Sequence, residues 1–407
     1  MSTTHEQTAW ANLFAARAAG ESDDGLASIL ALSTATDLIS FSGGFPDPTT
    51  FPGPVLAEIL ADILAGGDAS ALQYAPTPGL PGFREFLAAR LERLEGRRPE
   101  GDELLVTSGG IEALELLGKC FLEPGDAALV EAPTYLGGIM AFRSFEADVR
   151  GVPIDANGLV VDELERMLPT GLRPKLLYTI PDHQNPGGVT LAADRREPLV
   201  ELARRHGFLI IEDVAYRELG FTTERHPSLW ALGPDTVVQV GTFSKTFFPG
   251  VRLGWAVGPP DVIAGMVWAK QNTDQCAGAL GQRLLEEYGK RGLMEEQNER
   301  SRVLYQRRCD LLMGALDEHV PDGVDWTRPR GGFFTWLTLP PQADTVQLAA
   351  KAMDAGVAFV PGAPFFPDAR GRNNIRLAFS RVQDEEIPEG AARIGRLLRD
   401  ELERLGT

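Results

Sequence analysis

One lysine stands among side chains that suit the binding of a phosphate group. It lies in GTFSKTFFPGVRLGW, residues 241–255, directly after an apolar run. We therefore expect it at the carboxyl end of a buried strand, where open parallel sheets bind ligands. Thr242 and Ser244 offer hydroxyl groups, and Arg252 offers a bidentate, charge-assisted pair of donors. Lys245 can form an imine with an aldehyde once its amine is deprotonated. The alternative is an exposed lysine in a loop.

An acid and a phenol follow a second apolar run, in LIIEDVAYREL, residues 209–219. A lone aspartate after a strand is usually a helix N-cap. A carboxylate is also what keeps a pyridine nitrogen protonated, and a phenol hydroxyl near the ring oxygen of such a cofactor tunes an imine. Asp213 and Tyr216 offer both groups from one strand end and the turn after it.

A proline-braced loop, TIPDHQNPGG, covers residues 179–188. Asn185 is predicted to donate a hydrogen bond to the ring oxygen of a cofactor, and the alternative is a simple turn held by its prolines. His183 is predicted at the substrate site, where an imidazole acts as an acid or base near neutral pH. The alternative for His183 is a loop histidine whose hydrogen bonds are satisfied locally.

A glycine pair separates a strand from a helix in VTSGGIEALEL, residues 106–116. Gly109 and Gly110 are expected to form a tight turn, and the helix begins after it. Backbone N–H groups at a helix N-terminus bind anions, so a phosphate is predicted to rest on the amides of Gly110, Ile111 and Glu112. A glycine pair before a helix is weak support when it stands alone.

Two further side chains stand where a flat anionic ligand would use them. Tyr135, in EAPTYLGG, follows a strand and is placed either to stack on a ring or to fill the core. Arg376, in NNIRLAFS, opens an apolar strand, where burial is costly unless the guanidinium pairs with an anion. A bidentate clamp on a substrate carboxylate explains that position.

Composition excludes several classes of function. The chain has 407 residues and a formal charge of -18, which disfavours binding to nucleic acid or to an anionic membrane. The three cysteines show no CxxC spacing, so no disulfide framework or metal site is predicted and a reducing cytoplasm is expected. The N-terminus does not resemble a secretory signal, and no apolar run is long enough to span a bilayer. Only six of the 39 basic residues are lysines.

From about residue 100, short apolar runs alternate with amphipathic stretches, which predicts a mostly parallel sheet covered by helices. Strands are expected at 103–107, 126–131, 175–179, 208–212 and 236–241, with helices at 111–121, 163–168 and 198–206. Later come a helical region at 263–313, strand-like pieces at 332–339, 357–360 and 375–379, and a helix at 387–405. We predict an α/β fold with an arm (1–45), a large domain (46–290) and a smaller α+β domain (291–407).

These motifs, in this order, resemble the fold-type I pyridoxal-phosphate enzymes. The resemblance is strongest to the aminotransferase branch that includes 2-aminoadipate and kynurenine aminotransferases and the catalytic-like domain of MocR-type regulators. It extends from residue 40 to residue 380 and implies an α/β fold whose cofactor is pyridoxal 5'-phosphate.

The resemblance also implies roles for single residues. Lys245 carries the Schiff base, Asp213 faces the ring nitrogen, Asn185 and Tyr216 contact the ring hydroxyl, and Tyr135 stacks on the ring. Gly109, Gly110, Ile111, Thr242, Ser244 and Arg252 surround the phosphate, while Arg376 binds the substrate carboxylate near Gly44. Tyr74 reaches the phosphate of the partner subunit, which implies a homodimer.

Three departures from the family pattern are visible. The phosphate turn reads GGIEAL where small polar residues and glutamine are usual. His183 stands where the family usually has an aromatic residue. Residues 25–32 read GLASILAL, without the arginine that recognises a side-chain acid, so a dicarboxylic substrate is disfavoured.

The function predicted on this basis is transfer of an amino group between an L-amino acid and a 2-oxo acid. One alternative keeps the scaffold and changes the reaction to a lyase or an oxidative or decarboxylating enzyme of specialised metabolism, for example β-elimination from a cysteine S-conjugate. A second alternative is a sensor domain without catalysis, as in MocR-type regulators. The 40 or so residues before the resemblance are expected to be too few for the DNA-binding module of such a regulator.

Overall fold

An eight-stranded sheet lies at the centre of the fold. The computed structural model describes residues 10–18, 38–67, 69–168, 171–222, 224–368 and 370–406. The strands of this sheet are β2 (Leu104–Thr107), β3 (Ala127–Ala132), β4 (Asp148–Asp155), β5 (Gly158–Leu159), β6 (Pro174–Thr179), β7 (Leu209–Asp213), β8 (Val237–Thr242) and β9 (Gly254–Val257). They follow the order β2-β9-β8-β7-β6-β3-β4-β5.

Five neighbouring strands, from β8 through β7, β6 and β3 to β4, run parallel. Strand β9 runs antiparallel between β8 and β2. Strands β6, β7 and β8 are buried along most of their length, as expected where helices cover both faces. The α/β fold with a mostly parallel sheet is thus confirmed, and the five strands predicted for it lie within one residue of the observed bounds.

Twelve helices of the described residues cover the sheets. They are α1 (Gly53–Ala65), α2 (Pro81–Glu95), α3 (Gly110–Phe121), α4 (Leu136–Arg143), α5 (Val161–Met167), α6 (Ala193–His206), α7 (Leu229–Leu232), α8 (Pro260–Gln271), α9 (Ala279–Lys290), α10 (Leu293–His319), α11 (Thr345–Asp354) and α12 (Ile387–Leu405). No helix among them combines the length and apolar character that a membrane crossing requires.

Helix α3 shows why these elements form where they do. Its apolar residues Ala113, Leu114, Leu116 and Leu117 are buried, and each leucine contributes about 1.5–3 kcal/mol through burial. Gly109 precedes the helix with φ 98°, a conformation that favours glycine. The helix therefore starts directly at the carboxyl end of β2, which orients its N-terminal amides toward the sheet edge.

The helical region predicted over 263–313 is not continuous. It consists of α8, α9 and α10, and the breaks have local causes. Gln275 has φ 68° in the segment between α8 and α9, and Gly292 has φ 75° between α9 and α10. A left-handed residue cannot continue a right-handed helix, so each break turns the chain.

A second sheet lies in the C-terminal part of the chain. It is antiparallel, in the order β10-β11-β14-β13, with β10 (Asp325–Trp326), β11 (Phe334–Thr338), β13 (Val360–Pro361) and β14 (Asn374–Ala378). A two-stranded parallel pair joins β1 (Ile39–Ser40) to β12 (Val357–Ala358). The strands of the large sheet all precede residue 258 and those of the second sheet all follow residue 324, and we keep the proposed boundary near residue 290 on that basis. Most of the proposed arm (1–45) lies outside the described residues.

A buried ionic network ties α6 to the loop after β6. Arg196 Nη2 lies 2.6 Å from Asp182 Oδ1, and Arg217 Nη1 lies 2.6 Å from Asp182 Oδ2. Arg217 Nη2 also lies 2.9 Å from Glu95 Oε2 on α2. Burial alone would raise the pKa of Asp182, but Arg217 and Arg196 hold it below its usual value. The network anchors the loop that carries His183 and Asn185.

We predict that Arg196→Ala lowers the free energy of unfolding by about 3–5 kcal/mol, because it leaves the buried Asp182 with one partner fewer. Arg205→Ala, on the same helix, removes only an exposed pair with Glu165 and should cost less than about 1 kcal/mol. Urea denaturation followed by tryptophan fluorescence measures both. Equal losses for the two variants would contradict the structural role of the network.

Candidate active site

A cavity of about 270 Å³ opens at the carboxyl ends of the parallel strands, facing the second sheet. Twelve residues predicted for the site line it together: Gly44, Gly110, Ile111, Tyr135, Asn185, Asp213, Tyr216, Thr242, Ser244, Lys245, Arg252 and Arg376. Segments far apart in sequence thus converge on one space. The parallel strands explain this, because their carboxyl ends meet at one edge of the sheet.

Lys245 provides a buried amine in this cavity. Its Nζ donates a hydrogen bond of 2.8 Å to the carbonyl oxygen of Gly44. Burial, followed by the positive charge of Arg376, lowers the pKa of Lys245 to about 8, against the opposing effect of Asp213. At pH 7 roughly a tenth of the amine is therefore unprotonated, far more than for a lysine with the ordinary pKa, and the unprotonated form is the one that attacks an aldehyde.

Asp213 ends strand β7 and is held in place by two donors. Its Oδ2 accepts from the Tyr178 hydroxyl at 2.8 Å, and its Oδ1 accepts from the backbone N–H of Ala215 at 3.0 Å. Burial raises the pKa of Asp213, and these hydrogen bonds and Lys245 oppose the increase. A carboxylate held this way at the cavity wall is a partner for a cationic heterocycle.

Hydroxyl and guanidinium groups surround one end of the cavity. Thr242 Oγ1 lies 3.0 Å from Ser244 Oγ, and Arg252 Nη1 donates to Ser244 Oγ at 3.1 Å. A Cβ on Gly109 would lie 2.5 Å from Arg252 Nη2, so a side chain at this position would displace the guanidinium from the cup. Together with the uncapped N-terminus of α3, these groups form a cup that suits a phosphate.

The first departure from the family pattern has a structural consequence. Ile111 lines the cavity but presents an apolar side chain, so it can offer an anion only its backbone amide. The Glu112 side chain turns away and accepts from Ser108 N at 2.6 Å and from Lys270 Nζ at 2.7 Å. Lys270 holds this carboxylate away from the cavity, and the same ammonium group also pairs with Asp274 at 2.7 Å.

Arg376 is buried without an acidic partner among the residues described. Its Nη1 donates to Asn185 Oδ1 at 3.1 Å, and its Nη2 donates to the Ser42 carbonyl oxygen at 2.7 Å. The guanidinium lies between the rings of Phe334 and Phe365, 4.6 and 4.8 Å from their centroids. Burial lowers the pKa of Arg376 to about 10, and it remains cationic near pH 7. The guanidinium of Arg376 therefore has no counter-ion among the described residues, and an anionic ligand would provide one.

Tyr135, Tyr216 and Asn185 complete the wall between these groups. The Tyr216 ring packs edge-to-face against Phe333 and Phe334, with centroids 5.4 and 5.6 Å apart. Burial raises the pKa of Tyr216 well above its usual range, and a hydrogen bond with Asn185 opposes the increase. Tyr216 is therefore a neutral hydrogen-bonding group at the pH of the cell.

The structure does not bring His183 into this cavity. His183 has φ 54°, and its ring lies against Gly220 and Gly331, where it lines a different cavity. The prediction that it contacts substrate is corrected accordingly, because the left-handed backbone turns the side chain away. Burial lowers its pKa to about 4. Tyr74 also lies outside the cavity of its own chain, with its side chain 79% exposed.

Some wall residues were not predicted from the sequence. Tyr178 orients Asp213 from the neighbouring strand, and Glu131 accepts hydrogen bonds from Thr179 Oγ1 at 2.6 Å and Gln184 Nε2 at 2.9 Å. Glu131 thereby connects the strand leading to Tyr135 with the loop of Asn185. A polar residue inside an apolar strand, as in Val130-Glu131-Ala132, was the available signal. No cluster of three or more His, Cys, Asp or Glu that could hold a metal occurs among the described residues.

These contacts fit pyridoxal 5'-phosphate. The cavity combines a buried amine, a carboxylate with two of its acceptor positions directed into the protein, and a cup of hydroxyl, guanidinium and backbone donors. The cofactor has three groups that match these in turn: its aldehyde reacts with the amine, its basic ring nitrogen pairs with the carboxylate, and its phosphate fits the cup of donors.

We predict that Lys245 in the cofactor-free protein reacts by reductive methylation with a pH midpoint of about 8, rather than at its ordinary value of 10.5. Mass spectrometry of the modified peptide measures the rate. Arg376→Ala should move the midpoint upward, because it removes the charge that most lowers this pKa. A wild-type midpoint near 10.5 would show that the amine is not in the environment described.

Comparisons with known proteins agree with this site. The model of the family "Aminotransferase class I and II" matches residues 36–394. Aromatic-amino-acid aminotransferase 1 of Thermococcus litoralis is 37% identical over 96% of this chain and 95% of its own. The 2-aminoadipate transaminase of Thermus thermophilus is 39% identical over 96% and 97%.

Solved structures show the same relationship. The multiple substrate aminotransferase of Thermococcus profundus superposes with a TM-score of 0.93 at 37% identity, over 97% of this chain and 100% of that one. The alpha-aminoadipate aminotransferase of Thermus thermophilus, complexed with N-(5'-phosphopyridoxyl)-L-leucine, gives 0.90 at 38%, over 97% and 99%. The chain therefore belongs to the class I and II aminotransferases, the fold-type I enzymes that transfer amino groups with pyridoxal 5'-phosphate.

Proposed function

We propose that this enzyme moves the amino group of an L-amino acid with an apolar or aromatic side chain to a 2-oxo acid. The observation that carries the proposal is the buried Arg376, which lacks an acidic partner among the described residues and shares one cavity with Lys245. An α-carboxylate bound at Arg376 would bring the α-carbon of an amino acid toward the lysine amine. Such positioning is the main contribution of a protein to a cofactor reaction.

We assign the cofactor contacts as follows. Lys245 would carry it covalently, Asp213 would face its ring nitrogen, and Tyr216 and Asn185 would contact its ring hydroxyl. Tyr135 would stack on the ring, and Gly109, Gly110, Ile111, Thr242, Ser244 and Arg252 would surround its phosphate. The bound cofactor supplies an electron sink for the bond that breaks at the α-carbon.

Lys245 is also the group placed to move the proton. Its pKa of about 8 lies close to physiological pH, and such a value suits both accepting and returning a proton. Gly44 O holds its Nζ at 2.8 Å, which fixes the amine on the side of the cavity that Arg376 occupies. A neutral amine there can take the α-proton of a substrate whose carboxylate Arg376 holds.

The rest of the wall favours an apolar substrate side chain. Phe45, Leu136, Ile180, Phe334 and Phe365 line the cavity, and its cations among the described residues are Lys245, Arg252 and Arg376. All three already have roles, so a second carboxylate on the substrate would find no cation left. Residues 25–32, where the family places an acid-recognising arginine, lie outside the described residues.

We propose a homodimer in which Tyr74 completes the partner's phosphate site. Tyr74 and Leu72 are exposed by 79% and 71%, and large apolar side chains exposed together indicate an interaction surface. Free Cys120, Cys276 and Cys309 suit a reducing compartment, so we place the enzyme in the cytoplasm.

The function is tested by the products. Incubating the holoenzyme with an aromatic amino acid and pyruvate, a 2-oxo acid without a second carboxylate, should give equal amounts of the new 2-oxo acid and of alanine, measured by mass spectrometry. Arg376→Ala should raise the KM for the amino acid on the order of 100-fold while cofactor affinity changes far less. Arg376→Lys should recover part of the loss, because it restores charge without the bidentate geometry. Release of ammonia without a 2-oxo acid requirement would overturn the proposal.

The dimer is tested at Tyr74. Tyr74→Phe should keep the subunit count, measured by sedimentation equilibrium, and lose cofactor faster on dialysis than the wild type, because one hydrogen bond to the phosphate is removed. Cofactor retention equal to that of the wild type, or a wild-type monomer, would contradict this assignment.

A further inference from the structure

A second cavity, of about 700 Å³, lies on the other side of the loop that carries Asn185. We define it by three groups of residues. Residues 182–190 with the start of α6 form one side, residues 217–222 and 224–226 form another, and residues 326–330 close the third. It shares no lining residue with the catalytic cavity, and no function described so far uses it.

The wall of the second cavity is positively charged. Its arginines are Arg217, Arg225, Arg328 and Arg330, and its acids are Asp182 and Glu224. Asp182 is already paired with Arg196 and Arg217, and Arg328 is paired with Asp317. The formal charge of the whole chain is -18, so the protein as a whole repels anions. A cavity wall with more arginines than acids is a local exception that attracts them.

Two of these arginines have no ion pair. Among the described residues, no acid lies within 4.0 Å of the guanidinium of Arg225 or Arg330. Burial, with Arg217 and Arg302 nearby, lowers the pKa of Arg225, and Glu218 and Glu95 oppose the shift. Arginine holds phosphate and carboxylate groups through paired donors, so both side chains are available for a ligand in this cavity.

Backbone donors face the same space. Ala192 and Ala193 line the cavity at the N-terminus of α6, a helix of 14 residues. No side chain caps this end, since the N-cap is Ala192; the first turn contains one acid, Asp194, which does not line the cavity. The amides of an uncapped first turn carry partial positive charge and bind oxyanions.

His183 adds an unsatisfied polar atom to this wall. Its Nδ1 is shielded from solvent and has no hydrogen-bond partner among the described residues. Burial lowers the pKa of His183 to about 4; Asp182 opposes the shift, while Arg217, Arg196 and Arg225 add to it. The imidazole is therefore neutral near pH 7, and its unpartnered Nδ1 faces a wall that contains arginines.

We propose that the second cavity binds a small molecule bearing a phosphate group, held by Arg225, Arg330 and the first-turn amides of α6. The inference goes beyond amino-group transfer and does not rest on it. One loop connects the second cavity to the catalytic cavity. His183 of this loop lines the second cavity, and Asn185, two residues later, accepts a hydrogen bond from Arg376 in the catalytic cavity.

The test uses inorganic pyrophosphate as the probe and the holoenzyme, whose own phosphate cup is filled. Isothermal titration calorimetry at low ionic strength should show one pyrophosphate bound per chain, with affinity falling as salt is added, because the arginines are partly exposed. The double variant Arg225→Gln/Arg330→Gln should weaken binding at least tenfold. Each single variant should weaken it less, so the result does not depend on the double variant folding.

Two controls locate the ligand. Arg372→Gln, which removes an exposed arginine paired with Asp344, should bind pyrophosphate like the wild type. Arg376→Ala should bind pyrophosphate with an affinity within a few-fold of that of the wild type, because Arg376 does not line the second cavity. Absence of saturable binding, equal binding in the double variant and the wild type, or loss of binding in Arg376→Ala alone would each overturn the proposal.

Discussion

The catalytic cavity encloses more positive charge than negative charge, and its ability to bind anionic ligands depends on that excess. Lys245 and Arg376 are enclosed with one carboxylate, Asp213, and the hydrogen bonds that hold both cations come from backbone carbonyls and an amide oxygen. Buried charge without a counter-ion is costly. The cost is tolerable here because the protein offers dipoles in place of anions, and because a bound cofactor and substrate bring phosphate and carboxylate groups. The large sheet, the glycine turn at residue 109 and the packing around Phe334 all hold these groups in place.

Much of this was predictable, for a physical reason. Strands buried on both faces are continuous apolar runs, and the residue after such a run lies at the sheet edge. Asp213, Thr242 and Lys245 each follow a run of this kind, so their convergence follows from parallel pairing alone. The chemical identity of the residues then indicates the ligand, and the resemblance to a known family assigned the roles more finely than residue types do.

The sequence could not predict where certain side chains point or where the long helical region is interrupted. His183 stands two residues from Asn185, yet a left-handed backbone at this position sends the imidazole to another cavity. Tyr178 lies inside the strand predicted at 175–179, and nothing in that pattern indicates that its hydroxyl orients Asp213. The breaks between α8, α9 and α10 were missed because the helical pattern continues across them. Each of these depends on one backbone angle or one cross-strand contact, and residue periodicity carries no information about either.

The segment Ser42–Gly44 has a consequence for any ligand that enters. Its carbonyl oxygens already accept from Arg376 Nη2 and Lys245 Nζ, whereas Arg376 Nε has no partner among the described residues. An arriving carboxylate can therefore accept from the free Nε, and it competes with the Ser42 carbonyl oxygen for Nη2. At Nη2 the binding is an exchange of one acceptor for another, and a displaced peptide oxygen must find water or a new donor. A chain with a looser connection at β1 would bind more tightly for that reason alone, at the expense of the order that the peptide gives the empty cavity.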